Sequence, residues 1–439
     1  MKDVKYETRP LESWIKMKEL RRWHFKQTWE AQEKGEVLVM GMAEAFTGYL
    51  AGMGDYACPS YGPYFTRLVR NPEELVKCLE VVEAKGHTRD LCSCMRCYLG
   101  QMYQGLSTRS PTGATIQPDF LFQVTNCHTM AQTAQLFHEH LNIPYLSIDV
   151  PYSTEDDDDR EYVLAQLQDG IEFMERAAGK EYSDEKLIEA TRIEWRIMQR
   201  WAMIQDLVKS VPAPLDLRHL WSLRMPLLSM RHKQEVLAYL EMLHDEVTDR
   251  VRNQISARGI ERLRLIHEGF PPYYFIAMLK QPMDYGAIYV TCANNLSHGL
   301  WERLPDGRWV VDESPVPELR TREDALRAQI YMYLGVNHGS TWLPGLRPEE
   351  AVKRAQDWNC EAAVVALDRG CHGYGVSMLE TKQTLQRAGI PVGSYEHSQT
   401  DPREFSAPQA LDQLETFLEG LGLSKLNGQA GGDREEGGD

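Results

Sequence analysis

Three cysteines stand where a strand should end. Cys371 follows the apolar run Cys360 to Asp368, is flanked by Gly370 and Gly373, and precedes the helical pattern Val376 to Ala388. Cys127 follows the run Pro118 to Asn126, and Cys92 lies in Thr88-Arg89-Asp90-Leu91-Cys92-Ser93. The carboxyl ends of strands are where open α/β sheets keep their ligands. Turns of this kind from two facing domains can converge on one point, however far apart they are in sequence. Three thiolates from separate loops suit an iron–sulfur cluster whose fourth iron stays open to another ligand, because soft sulfur donors favour such clusters or zinc. We therefore read Cys92, Cys127 and Cys371 as one metal centre, against the alternative that each is a small buried core residue. Cys78, inside a helical pattern, and Cys292, beside a strand, read as structural. The run Cys92-Ser93-Cys94-Met95-Arg96-Cys97 lacks the second C-x-x-C of a zinc ribbon and the C-x-x-C-x-x-C spacing of a ferredoxin. On a helix Cys94 and Cys97 would share a face and Cys92 and Cys94 would not.

The elements that must carry these turns follow from pattern. Trp14, Ile15, Met17, Leu20 and Trp23 mark an amphipathic helix in an N-terminal segment, 1–35. Val37 to Met40 is a short buried strand ended by Gly41, and with the strands Asp119 to Thr125 and Ile143 to Ile148 it makes a first α/β domain, 36–154. The Pro- and Gly-broken loop Cys58 to Tyr64 reads as a substrate loop. Residues 155–258 have helical periodicity almost throughout, giving a helical domain, and the run Glu155 to Asp159 reads as a solvated helix start. A second α/β domain, 259–422, takes strands at Arg262 to His267, Gly286 to Thr291, the run leading to Cys371, and Ile390 to Tyr395, then a terminal helix from Ala407 to Leu421. Residues 423–439 have the composition of a disordered tail. The expected architecture is two flavodoxin-like, Rossmann-like α/β domains with parallel sheets and a helical domain between them.

Composition narrows the function. A chain of 439 residues, 43% hydrophobic, has ample material for sizeable cores. The net charge of −16 argues against nucleic acid as main partner. No apolar run has the length of a membrane span, and the polar start Met1 to Glu7 has no signal-peptide core, so the expected location is the cytoplasm. There nine cysteines are reduced thiols rather than a disulfide framework.

In combination and order, several short elements resemble the family of 2-hydroxyacyl-CoA dehydratase subunits and class I benzoyl-CoA reductases. They are Asp90-Leu91-Cys92-Ser93, Asn126-Cys127, Arg369-Gly370-Cys371, Ala388-Gly389-Ile390-Pro391-Val392 and Asp401-Pro402-Arg403-Glu404-Phe405. The resemblance runs from about Glu36 to Leu421. It implies a 4Fe-4S cluster held by Cys92, Cys127 and Cys371, a related second active-site subunit, and an ATP-hydrolysing iron–sulfur activator with ferredoxin as the electron source. Ala51-Gly52-Met53-Gly54-Asp55 and Pro59 to Arg67 look most like the reductase branch, which implies two-electron, two-proton reduction of benzoyl-CoA to a cyclic dienoyl-CoA. The alternatives are a dehydratase subunit, a lyase that recycles its electron, and an electron-relay subunit whose cluster never meets substrate.

Such chemistry needs a very negative potential, within the reach of clusters, which extend down to about −700 mV. It also needs donors that stabilise a radical anion in a dry site. The candidates near strand ends are Glu44, Tyr61, His128 and, preferred for its place beside Cys371, His372. Each is weighed against a plain capping or packing role. Arg67, Arg96 and Arg369 could meet CoA phosphates or support a reduced cluster, or serve only as ion pairs.

Overall fold

The computed structural model describes residues 4–41, 45–60, 65–109, 115–125, 127–151, 157–334 and 345–426. Two four-stranded parallel sheets form its frame. The first contains β1 (Val37–Gly41), β2 (Tyr56–Ala57), β3 (Phe120–Thr125) and β4 (Tyr145–Asp149), and the second contains β5 (Leu263–Glu268), β6 (Ala287–Thr291), β9 (Ala362–Asp368) and β10 (Val392–His397). Between β6 and β9 runs a small antiparallel hairpin, β7 (Trp301–Arg303) with β8 (Trp309–Val311), which the sequence pattern did not reveal. Helices cover both faces of the central strands: all five residues of β1 and all six of β5 are buried, even though β5 carries Arg264, His267 and Glu268.

The two sheets share one topology. In each, the first strand sits between the second and the third, with the fourth outside: β2-β1-β3-β4 and β6-β5-β9-β10. This is the flavodoxin-like order, in which ligands gather at the carboxyl ends of the first and third strands, where the winding reverses. Cys127 follows β3 and Cys371 follows β9, the third strand of each sheet. The two cysteines thus occupy equivalent places in two like sheets.

The intervening stretch is helical as expected, with helices Asp157–Ala178, Asp184–Leu207, Leu217–Leu223 and Gln234–Arg252. Asp157, Asp158 and Asp159 fall in the first turn of their helix, where carboxylates favour the dipole. Fully buried Trp201 belongs to one hydrophobic cluster with Ile288 and Val290 of β6 and with Trp358, so the helical core is continuous with the second sheet. In the N-terminal helix Ser13–Glu30 the buried stripe is Ser13, Met17 and Leu20, spaced by four and three. Ile15 falls off that stripe and is 67% exposed, unlike the role its hydrophobicity suggested. Among the described residues no helix is long and apolar enough to cross a membrane.

Beneath the second sheet's carboxyl end lie two fully buried imidazoles. His267 bonds the Tyr395 hydroxyl at 3.0 Å, while neither ring nitrogen of His397 makes a full hydrogen bond. Burial lowers His267 to about 3, helped by His397, and lowers His397 to about 4. Between those values and the ordinary 6.5 the unfolded chain binds protons that the folded one refuses, so stability is full above pH 6.5 and falls as pH drops. At pH 5.5 each histidine should cost about 1 kcal/mol. His397→Leu should flatten the decline in melting temperature between pH 7.5 and 5.5; an unchanged slope would contradict this.

Candidate active site

Each of the three cysteines is the residue immediately before a helix: Cys92 before Ser93–Tyr103, Cys127 before His128–Leu141, and Cys371 before His372–Arg387. A side chain in this position points back over the helix's free amides. None of the sulfurs makes a full capping hydrogen bond. The amides of Met95, of Thr129 and Met130, and of Tyr374 nevertheless lie close enough to favour the thiolate forms of Cys92, Cys127 and Cys371. Three positive helix ends thus face one region.

The two sheets meet at this region. A Cβ added to Gly370 would lie 3.5 Å from the Ser93 amide nitrogen and 3.7 Å from the Cys92 Cα, so the turn before Cys371 rests on the Cys92 segment. The Thr400 amide donates to Ser93 Oγ at 3.1 Å, and Arg96, wholly buried, donates to Asp401 at 3.1 Å, to Glu83 at 3.2 Å and to the Leu91 carbonyl at 3.1 Å. The Asp401 motif and Arg96 are therefore parts of one clamp. Arg369 is exposed and pairs with Glu396, and the Arg67 side chain lies outside what is described.

Cys92, Cys127 and Cys371 line a single cavity of about 440 Å³. Burial pushes the Cys92 thiol up to about 12, with Asp368 and Cys127 adding to it, and Cys371 is driven well up by burial, then by Cys92 and Asp368. Left alone, the three thiols resist ionising together. A cationic iron–sulfur core offsets that cost, and the donor set is all sulfur, so these residues fit such a cluster. Among the described residues no three His, Cys, Asp or Glu side chains stand close enough to share a single metal ion. A cube of four irons holds its ligands wider apart than one ion does.

Cys92 stands outside the helix, so the helical-face argument does not govern it, and Cys94 shares the cavity wall with it. Cys97 is fully buried elsewhere, its carbonyl accepting from Cys78 Sγ at 3.3 Å. Glu44 and Tyr61 lie outside the described residues. His128 and His372 are exposed and are not on the cavity wall.

The wall carries groups that pattern reading did not single out. Phe65 stacks on Tyr98 with centroids 4.8 Å apart, and Trp221 meets Tyr273 at 5.9 Å. Arg224, 7% exposed, lies 4.5 Å above the Trp221 ring and bonds Asn294, and its Nε has no partner. His298 Nδ1 is likewise buried and unpartnered, and burial, then the charges of Arg224 and Arg231, keep this imidazole neutral. Arg224 and His298 come from a helix end and a connection after β6, and no motif marks either.

The protein-family model described as "2-hydroxyglutaryl-CoA dehydratase, D-component" matches residues 68–421. The chain is 27% identical over 350 residues to an (R)-phenyllactyl-CoA dehydratase alpha subunit of Clostridium sporogenes, covering 78% of each chain. It is 24% identical over 350 residues to an (R)-2-hydroxyisocaproyl-CoA dehydratase alpha subunit of Clostridioides difficile, covering 78% of this chain and 79% of that one. It is 22% identical over 353 residues to a subunit of the benzoyl-CoA reductase of Thauera aromatica, covering 77% of this chain and 78% of that one.

Proposed function

Because the chain belongs to the 2-hydroxyglutaryl-CoA dehydratase D-component family, we propose that it is the cluster-bearing, substrate-binding subunit of an ATP-dependent benzoyl-CoA reductase. The observation that carries this is the cavity itself: three thiols open into a chamber walled by Phe65, Tyr98, Trp221, Phe270 and Tyr273, with no carboxylate on its described lining. A flat, uncharged aromatic acyl group suits such walls, whereas a second carboxylate on the acyl group would be desolvated among them.

Bound to Cys92, Cys127 and Cys371, a 4Fe-4S cluster would supply electrons of low potential. The protein's own groups do the rest. The aromatic wall holds the ring and excludes water. Arg224 Nε and His298 Nδ1, both short of a partner, are placed to donate to the thioester carbonyl oxygen, where negative charge accumulates as the acyl group is reduced. His298 is neutral and can act only as a hydrogen-bond donor through a tautomer that carries its proton on Nδ1. His372 and His128, the first residues of the helices that follow Cys371 and Cys127, are exposed and fit a role beside the cluster rather than at the substrate. A related second subunit, an ATP-hydrolysing activator and ferredoxin complete the proposed system, consistent with relatives named as subunits.

The lyase reading is favoured by the names of the relatives: the matching family model is described as a dehydratase component, and the chain is 27% identical to a dehydratase named for an aromatic acyl group, against 22% to the reductase subunit. Anaerobic turnover of the complete complex with ATP and a strong reductant separates the two. Two electrons consumed per dienoyl-CoA formed from benzoyl-CoA is the expected result. Dehydration of phenyllactyl-CoA without net electron use, and no reduction of benzoyl-CoA, would transfer the chain to the lyases.

A further inference from the structure

We propose that Arg21, Arg22 and Arg70 form an anion site at the cavity mouth that takes the phosphates of coenzyme A, an inference that rests on the thioester reading above. The N-terminal helix Ser13–Glu30 contributes Arg21, His24 and Phe25 to the cavity wall. Arg70 directly follows Val69, which lines the same cavity. Arg22 and Arg70 are exposed and Arg21 is half-buried.

In a chain with 64 acidic and 48 basic residues, three neighbouring arginines would ordinarily collect carboxylates. None of these three has an ion-pair or hydrogen-bond partner among the described residues. Burial depresses the Arg21 guanidinium, and the charges of Arg70 and then Arg22 depress it further. Cations held together without a counter-charge are relieved by a polyanion. Guanidinium forks match phosphate oxygens in pairs, and the exposed members leave the site open to a ligand arriving from solvent. Because Arg21 and the three thiols line one continuous cavity, a ligand anchored by its phosphates at the mouth can extend its acyl end toward the sulfurs. Arg21 and Arg22 lie before residue 68, where the family match begins, so they belong to a part of the chain the family description does not cover.

Calorimetric titration of the anaerobic, cluster-containing protein tests the site with coenzyme A, dephospho-CoA, ATP and S-benzoylpantetheine. In the triple variant Arg21→Gln, Arg22→Gln, Arg70→Gln, coenzyme A should bind at least about tenfold more weakly. S-benzoylpantetheine, which lacks the nucleotide, should bind the variant as it binds the original protein, and the melting temperature should not fall, because the substitutions remove mutual repulsion. Dephospho-CoA should fall between the two. Unchanged coenzyme A affinity in the variant overturns the site while leaving the thioester reading intact, and ATP binding as tightly as coenzyme A overturns the assignment of the anion. Failure of the original protein to bind either coenzyme A or S-benzoylpantetheine overturns the thioester reading, and this inference with it.

Discussion

Cys127→Ala protein, purified without oxygen, is expected to be colourless and to have lost most of its iron and acid-labile sulfide, with turnover abolished. The two remaining thiols, one of them pushed up to about 12 by burial, cannot supply enough thiolate to hold a cluster. The fold itself should survive. Cys127 makes no full capping hydrogen bond, so its loss should cost the helix His128–Leu141 no more than about 1 kcal/mol. Cys97→Ala is the matching control. That thiol is packed in the core between Cys78 and Gln101 and does not line the cavity, so its variant should keep its iron while melting somewhat earlier. Full cluster content in Cys127→Ala, or loss of iron in Cys97→Ala with Cys127→Ala unaffected, would remove the ligand set proposed here.

What pattern could and could not reach is visible in the same few residues. A strand that ends in a cysteine, after Asn126 in one case and Gly370 in the other, and restarts as a helix declares itself locally, and that is enough to place Cys127 and Cys371 at equivalent positions in two parallel sheets. His372 shows the limit of the same argument. One residue past Cys371 the chain has entered the helix, and each helical step turns the side chain by about 100°. The neighbour of an inward-facing cysteine therefore faces elsewhere, and His372 is exposed. Arg224 and His298 reach the same cavity from 74 residues apart in sequence (298 minus 224), and only their unpartnered nitrogens single them out. Arg96 was equally open to several readings in sequence, because the partner that decides its role, Asp401, lies 305 residues away.

That partner makes Arg96 the residue whose replacement should most disturb the structure without touching a thiol. Arg96 and Asp401 are both fully buried, and together with Glu83 and Arg403 they tie the helix begun by Cys92 to the loop that follows β10. Burial pushes the Asp401 carboxyl up, but the hydrogen bond and charge of Arg403, with the charge of Arg96, outweigh it and the net shift is downward. The clamp's stabilisation is therefore present above the ordinary carboxylate range and is lost as pH falls through the depressed value. Removing one member of a buried pair leaves an uncompensated charge, so Arg96→Ala should cost about 3 kcal/mol, the lower end of the usual range because Arg403 still pairs with Asp401. Arg403 is 22% exposed, and with solvent screening its own replacement should cost about 1 kcal/mol. Because the clamp sets Cys92 against the turn that presents Cys371, Arg96→Ala should also lose iron faster than the original protein under a chelator, while Arg403→Ala should not. Denaturant titration at neutral pH and chelation kinetics read the two effects separately. Equal losses for the two arginines would mean that the buried pair does not carry the contact between the two sheets.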